Sequence, residues 1–224
     1  MGGLGNRRFN MFSYVKDKAF LNQAYGYCAD IINQVKNLLI KDKIESKMSI
    51  EGSKRRNMVT QNEEGSIDFD FNLFVTKCHD IRDGESIKEI VKAKLDEVLR
   101  SKDLVDCDDS TSVLTTKHMY FTKGNRTNFS IDLAITAKMS NGNYCKLIHE
   151  KTGYALKDRW YWNEIPDSSK AFEKAKCLKE NNLWKEVRET YLRKKDFYLT
   201  NNDYNHPSFV CYVEAVNEIF YKYS

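Results

Sequence analysis

The 224 residues carry 36 Lys and Arg against 32 Asp and Glu, a formal charge of +4, and 41% of them are hydrophobic. That apolar share excludes a chain disordered throughout and suits one compact unit or a core domain with a smaller appendage. The near balance of charge excludes the strong basic excess of a dedicated duplex-DNA binder, while leaving room for a phosphate-bearing partner.

Along the chain, GGLG at residues 2–5 follows no strand and reads as a flexible end rather than a phosphate loop. From Met11 to about Ile44, Phe12, Val15, Ala19, Ile31, Ile32, Val35, Leu38 and Leu39 recur at helical spacing. This predicts one long helix, or two short ones divided at Gly26. SKMSIEGS then reads as a short strand ending in a Gly-Ser turn, followed by a polar, basic stretch and a strand-like run, IDFDFNLFV. GESIKEIVKAKLDEVLR (84–100) predicts an amphipathic helix with Ser86 as N-cap, Glu89 as its capping-box partner and Ile87, Ile90, Val91, Leu95, Val98 and Leu99 as the buried stripe.

Asp103, Asp106, Asp108 and Asp109 lack the EF-hand spacing and read as a solvated turn. Three strands are expected next, SVLTTKHMYF, TNFSIDLAITA and YCKLIHE, separated by KGNR and SNGN; such short turns argue for antiparallel pairing. After about Gly153 the pattern becomes helical, at 168–181, 183–197 and 207–222, with Pro207 in the first turn of the last helix. The fold class is α+β, with a sheet-bearing core at 1–152 and a helical part at 153–224.

Six dispersed cysteines without a CxxC read as reduced thiols, which points to a cytoplasmic protein. No secretory h-region or membrane-spanning apolar run of about 18 residues is present. Cys145 and His149, or Cys78 and His79, do not supply a zinc ligand set, and His118 and His206 have no acid or nucleophile at meaningful spacing. Tyr154, Trp160, Tyr161 and Trp162, interleaved with Lys157 and Arg159, either stack a base or fill a seam between sheet and helices. Arg193 to Lys195 form either a solvated helix end or a polyphosphate contact.

The chemistry concentrates in two strands. Side chains alternate faces along a strand, so Phe69, Phe71, Leu73 and Val75 share one face and Asp68, Asp70 and Asn72 the other. In TNFSIDLAITA, Phe129, Ile131, Leu133 and Ile135 form the apolar face and leave Asp132 on the opposite one. If the strands are neighbours, three carboxylates converge and raise one another's pKa, a conflict that a divalent cation relieves. Carboxylate oxygens suit Mg²⁺ or Mn²⁺, two of which can clamp the attacking and leaving oxygens of phosphoryl transfer. Upstream, Gly52 permits close backbone approach, the Ser53 hydroxyl and nearby amides can hold phosphate oxygens, and Lys54, Arg55 and Arg56 add positive charge.

A strand, Gly52-Ser53, Asp68-Phe69-Asp70 and a third Asp in FSIDLAI together resemble the DNA polymerase β-like nucleotidyltransferase superfamily over roughly residues 35 to 137. Asp68 follows Ser53 by 15 positions, which is closer to the cGAS-like and oligonucleotide-synthase branch than to compact members, and the second pair, Gly65-Ser66, lies too close to Asp68 to be the phosphate turn. The resemblance implies a mixed-sheet nucleotidyltransferase core packed on helices, closed by a C-terminal helical part. It implies that Asp68 and Asp70 ligate two Mg²⁺ or Mn²⁺ ions and that Asp132 completes the catalytic metal site and helps activate the acceptor hydroxyl. Gly52, Ser53, Lys54 and Arg55 would hold a nucleoside triphosphate such as ATP. The reaction implied is transfer of a nucleoside monophosphate to a hydroxyl with release of pyrophosphate, giving a linear or cyclic oligonucleotide. Its alternatives are a modified protein, RNA or small molecule, or a non-catalytic binding module of the same fold.

Overall fold

The computed structural model describes residues 12–63, 65–201, 203 and 207–224; the GGLG stretch, Met11 and His206 lie outside them. In chain order the strands are β1 (Phe12–Tyr14), β2 (Glu45–Ile50), β3 (Thr60–Asn62), β4 (Ile67–Lys77), β5 (Asp108–Asp109), β6 (Leu114–Thr115), β7 (Phe129–Lys138), β8 (Tyr144–Glu150) and β9 (Arg159–Glu164). The α-helices are α1 (Lys18–Leu39), α2 (Gly52–Arg55), α3 (Gly84–Arg100), α4 (Ser169–Glu180), α5 (Trp184–Thr200) and α6 (Ser208–Tyr223).

Two compact units result. One contains Lys16–Asn57 and Ser66–Pro166; the other contains the segment up to Val15, Met58–Gly65 and Asp167–Ser224. The expected boundary at 152/153 therefore falls at 166/167, because β9 pairs with β8 along its whole length and stays in the sheet. RWYWNE offers the alternating exposure of a strand, and its register with YCKLIHE supplies the backbone partners.

In the first unit, seven strands form a mixed sheet of order β2-β4-β7-β6-β5, with β8 also on β7 and β9 beyond it. β4 and β7 are parallel, while β2 on β4, and β6 and β8 on β7, are antiparallel. Phe69, Phe71, Leu73, Ile131, Leu133 and Ile135 are buried on one face, as a period of two requires. α1 and α3 carry the matching apolar stripes, with Tyr25 stacked on Phe71 at 6.0 Å between ring centroids. Each fully buried Phe or Leu contributes about 1.5–3 kcal/mol to this core.

Local chemistry moves several element ends. α1 begins at Lys18 because the Asp17 side chain accepts a hydrogen bond from the Phe20 amide at 2.9 Å, so Phe12 and Val15 lie before the helix. It runs unbroken through Gly26. α3 is capped by Asp83, which accepts from the Ser86 amide, in place of the expected Ser86 cap. SVLTTKHMYF forms only the short β6 and a bridge from Met119 to Phe129.

Asp109 is not a solvated turn residue. It receives the Lys88 ammonium at 2.7 Å and His149 Nδ1 at 2.7 Å, while His149 Nε2 faces Asp158 at 3.3 Å and its ring stacks on Trp160 at 4.2 Å. Burial alone would raise the Asp109 carboxyl, but the bonds from Lys88 and His149 outweigh it and hold it below the usual carboxylate range. The Lys88 side chain is only 3% exposed. Lys88→Met is expected to destabilise the fold by about 3–5 kcal/mol, because it leaves a carboxylate without its buried partner; urea unfolding reads this directly, and a loss below ~1 kcal/mol would contradict it.

In the second unit, α4, α5 and α6 enclose Leu178, Val187, Tyr191, Tyr212, Val216 and Ile219, with Met58 added to their core. Arg193 and Lys194 pair with Glu218, and Lys195 donates to the Thr60 hydroxyl at 2.7 Å, so this basic run is engaged in packing and surface pairing. Pro207 occupies the N-cap of α6 rather than its first turn.

Candidate active site

β4 and β7 lie side by side with Asp70 opposite Asp132 and Asp68 opposite Ser130, which puts all three carboxylates on the sheet's open face. The parallel pairing is what brings residues 62 positions apart into register. The Asp132 Oδ1 accepts a hydrogen bond from Thr115 Oγ1 at 2.7 Å, and Asp68 Oδ1 accepts one from Ser130 Oγ at 2.5 Å. Thr115 reaches Asp132 because β6 pairs with β7 at that position. Asp68, turned toward Ser130, does not close a three-carboxylate cluster: among the described residues, no three Asp, Glu, His or Cys side chains stand at metal-ligand spacing.

Burial raises the Asp70 carboxyl, Asp132 and then Asp68 raise it further, and Arg56 and Lys146 offset part of the effect. Burial likewise raises Asp132, against the lowering by the Thr115 bond and Lys146. The site thus holds two half-buried carboxylates that resist ionising together.

Gly52 follows β2 and opens α2, a single turn of four residues, where a plain turn was expected. Its φ is +57°, and a Cβ there would stand 1.7 Å from Asp70 Oδ2. Glycine is required twice over, by the left-handed backbone and by the carboxylate against it. The Glu51 amide donates to the Asp70 carbonyl at 2.8 Å and pins the turn to β4. Ser53 is half-buried beside this turn, and its hydroxyl has no hydrogen-bond partner among the described residues.

The basic residues after Ser53 diverge, as neighbours about 100° apart on a helical turn must. Lys54 Nζ bonds to Asn22 Oδ1 at 3.0 Å and lies over the Tyr25 ring, while Arg55 pairs with Glu51 at 2.6 Å. Both are engaged away from the carboxylates. Arg56 is the one that lowers Asp70 electrostatically.

Lys146 of β8 is not legible as a site residue in the sequence. It faces the open side opposite Thr136, and Asp70 and Asp132 both support its charge against the lowering by burial. The period-two alternation of YCKLIHE places it opposite Cys145 and Leu147; only the β7–β8 register aims it at the carboxylates. Of the aromatic segment, Trp160 stacks on His149 and Trp162 Nε1 donates to the Ile81 carbonyl at 2.6 Å, so both serve the sheet unit's own packing.

Neither a protein-family model nor a curated protein sequence matches the chain. Solved structures do. The cyclic dinucleotide synthase CdnE of Elizabethkingia meningoseptica, with GTP and Apcpp, has a TM-score of 0.50 at 12% identity over 84% of this chain and 68% of that one. The CD-NTase CdnG of Bradyrhizobium diazoefficiens, in complex with GTP, scores 0.43 at 13% identity over 70% and 41%. The GTP-bound form of DncV from Vibrio cholerae scores 0.46 at 14% identity over 68% and 38%. The chain therefore spans about two fifths of the length of CdnG and DncV. These neighbours are cGAS-like enzymes of the polymerase β-like nucleotidyltransferase superfamily, and the likeness to CdnE shows that the chain has that fold.

Proposed function

We propose, taking this nucleotidyltransferase fold as the premise, that the chain transfers a nucleoside monophosphate from a nucleoside triphosphate to a hydroxyl acceptor and releases pyrophosphate. The observation that carries the proposal is the in-register pair Asp70 and Asp132 on parallel β4 and β7, with the Gly52 backbone seated against Asp70. A nucleotide acceptor, giving a linear or cyclic oligonucleotide, is favoured over a protein or small molecule because the neighbour CdnE is a cyclic dinucleotide synthase. Six free thiols support a cytoplasmic setting, and no helix among the described residues is long and apolar enough to cross a membrane.

The pair Asp70 and Asp132 fits a hard divalent cation: both carboxyls are half-buried and raised, by burial first and then by neighbouring carboxylates, which a bound cation would relieve. Asp70 and Asp132 would hold Mg²⁺ or Mn²⁺, and Asp68 would join them, for a second ion, on turning away from Ser130. Bound there, such ions supply Lewis-acid neutralisation of the phosphoryl oxygens. The chain's own groups do the rest. Ser53 offers its unengaged hydroxyl to the β- and γ-phosphates, with Arg56 adding charge beside Asp70. Thr115 holds Oδ1 of Asp132, leaving Oδ2 to accept the proton of the attacking hydroxyl. Positioning and charge neutralisation, rather than covalent catalysis, carry the rate.

The decisive experiment incubates the purified protein with the four labelled ribonucleoside triphosphates, singly and mixed, with Mg²⁺ or Mn²⁺, and follows pyrophosphate release and product mass. Metal-dependent product is expected; no product and no triphosphate binding under any condition overturns the reading. Ser53→Ala is expected to weaken triphosphate binding about tenfold, the worth of one hydrogen bond to a charged group, with melting unchanged. Titration calorimetry measures this, and unaltered affinity would remove Ser53 from the site.

A further inference from the structure

Beyond the carboxylates, the open face of the sheet continues into a patch of different character. Four residues along β4 from Asp70, about 13 Å at strand rise, stands Phe74. Its register partners are Lys47 of β2 and Thr136 of β7; Thr136 is in turn opposite Lys146 of β8, and Lys138 is opposite Tyr144. The rings of Phe74 and Tyr144 lie 5.8 Å apart, and Lys138 Nζ stands 5.6 Å over the Tyr144 ring. Tyr144 is 55% exposed, and Tyr161, on the same face of β9, is 44% exposed.

Two exposed tyrosines, one at the start of β8 and one on the outermost strand β9, leave apolar ring surface in water, where a core-facing position would have buried it. Charge points the same way. Lys77, Lys94 and Lys102 of this unit close onto carboxylates, whereas Lys47, Lys138 and Lys146 make no ion pair within 4 Å among the described residues. Lys47 and Lys138, exposed beside the Phe74–Tyr144 ring pair without an ion pair, and Lys146, set between these rings and the carboxylates, complement a ligand carrying both phosphates and planar bases.

We propose that this face binds a single-stranded oligonucleotide, with its phosphates on Lys47, Lys138 and Lys146 and a base stacked on Tyr144. The strand then runs along the sheet toward Asp70 and Asp132, which presents its terminal hydroxyl as the acceptor. Only that last clause rests on the transferase reading; the binding stands by itself. A single strand is specified because exposed rings stack unpaired bases, while paired bases within a duplex keep their faces covered.

Fluorescence anisotropy with a fluorescein-labelled single-stranded RNA of about ten nucleotides, at several salt concentrations, tests this on the full chain. Saturable binding is expected, and Tyr144→Ala is expected to weaken it about tenfold. Replacing Lys47 and Lys138 together by Gln is expected to flatten the log–log salt slope by about 1.4, roughly 0.7 for each phosphate that a lysine no longer neutralises. Both sites are exposed, so melting should not change. The proposal is overturned if the strand does not bind, if a duplex of equal length binds as tightly, or if both variants bind like wild type. Pyrophosphate release measured in parallel separates the two readings. Turnover without strand binding sinks this inference alone, and strand binding with neither turnover nor binding of any triphosphate sinks the transferase alone.

Discussion

Asp70→Asn and Asp132→Asn are each expected to lower metal-dependent turnover by on the order of 10³-fold or more, because each removes a charge from the pair that the sheet sets in register. Loss of folding is not expected to explain it. Both carboxyls are raised in the fold, by burial first and by neighbouring carboxylates, so the folded state prefers their protonated forms. Stability from such a group is present below the unfolded carboxylate value and is lost as pH rises through the higher folded value. Asparagine is neutral throughout, so the metal-free variants should melt no lower than wild type at neutral pH and should lack its decline between acid and neutral pH. Mg²⁺ or Mn²⁺ should raise the melting temperature of wild type and leave the variants unmoved. A variant with full turnover removes that aspartate from catalysis, and one that unfolds in acid and neutral buffer alike removes the electrostatic account.

Gly52→Ala is the second large effect. The new methyl would stand 1.7 Å from Asp70 Oδ2 at a φ of +57°, so either the turn or the carboxylate must move. The backbone alone costs about 1–3 kcal/mol for a non-glycine residue held there. Displacing Asp70 by about an ångström costs roughly 100-fold in rate, since catalysis here depends on position. The expected variant is folded, less stable and at least about 100-fold slower, whereas Gly26→Ala, in open space on α1, should be neutral or mildly stabilising. Circular dichroism melts with parallel kinetics decide it; a Gly52→Ala protein with wild-type rate would show that the turn does not depend on this approach.

Much of the site is legible in the sequence. The alternation in IDFDFNLFV and FSIDLAITA puts Asp68, Asp70 and Asp132 opposite the core face, and the structure buries the apolar residues so assigned. Helices α4 to α6 are legible within a few residues because their apolar positions repeat at helical spacing. What escapes depends on partners distant in sequence. β9 reads as a seam segment because a strand of alternating rings and polar groups is recognised only once β8 lies beside it. Lys54 and Arg55 group with Ser53 in the sequence, yet a one-turn helix sends them to Asn22 and Glu51. Asp109 reads as solvated because Lys88 and His149, 21 and 40 positions away, are invisible to local pattern.

By itself the sequence determined which residues of α3, β4 and β7 face the core, because periodicity is a local property set by 2.0 or 3.6 residues per repeat. It also determined that a glycine and two acidic strand faces exist. The tertiary structure alone decided that β4 and β7 run parallel as neighbours, that Asp70 meets Asp132, that Gly52 closes on Asp70 and that Lys146 faces both. Those contacts are fixed by strand order and register, which follow from the burial of the whole sheet against α1 and α3 rather than from any single segment.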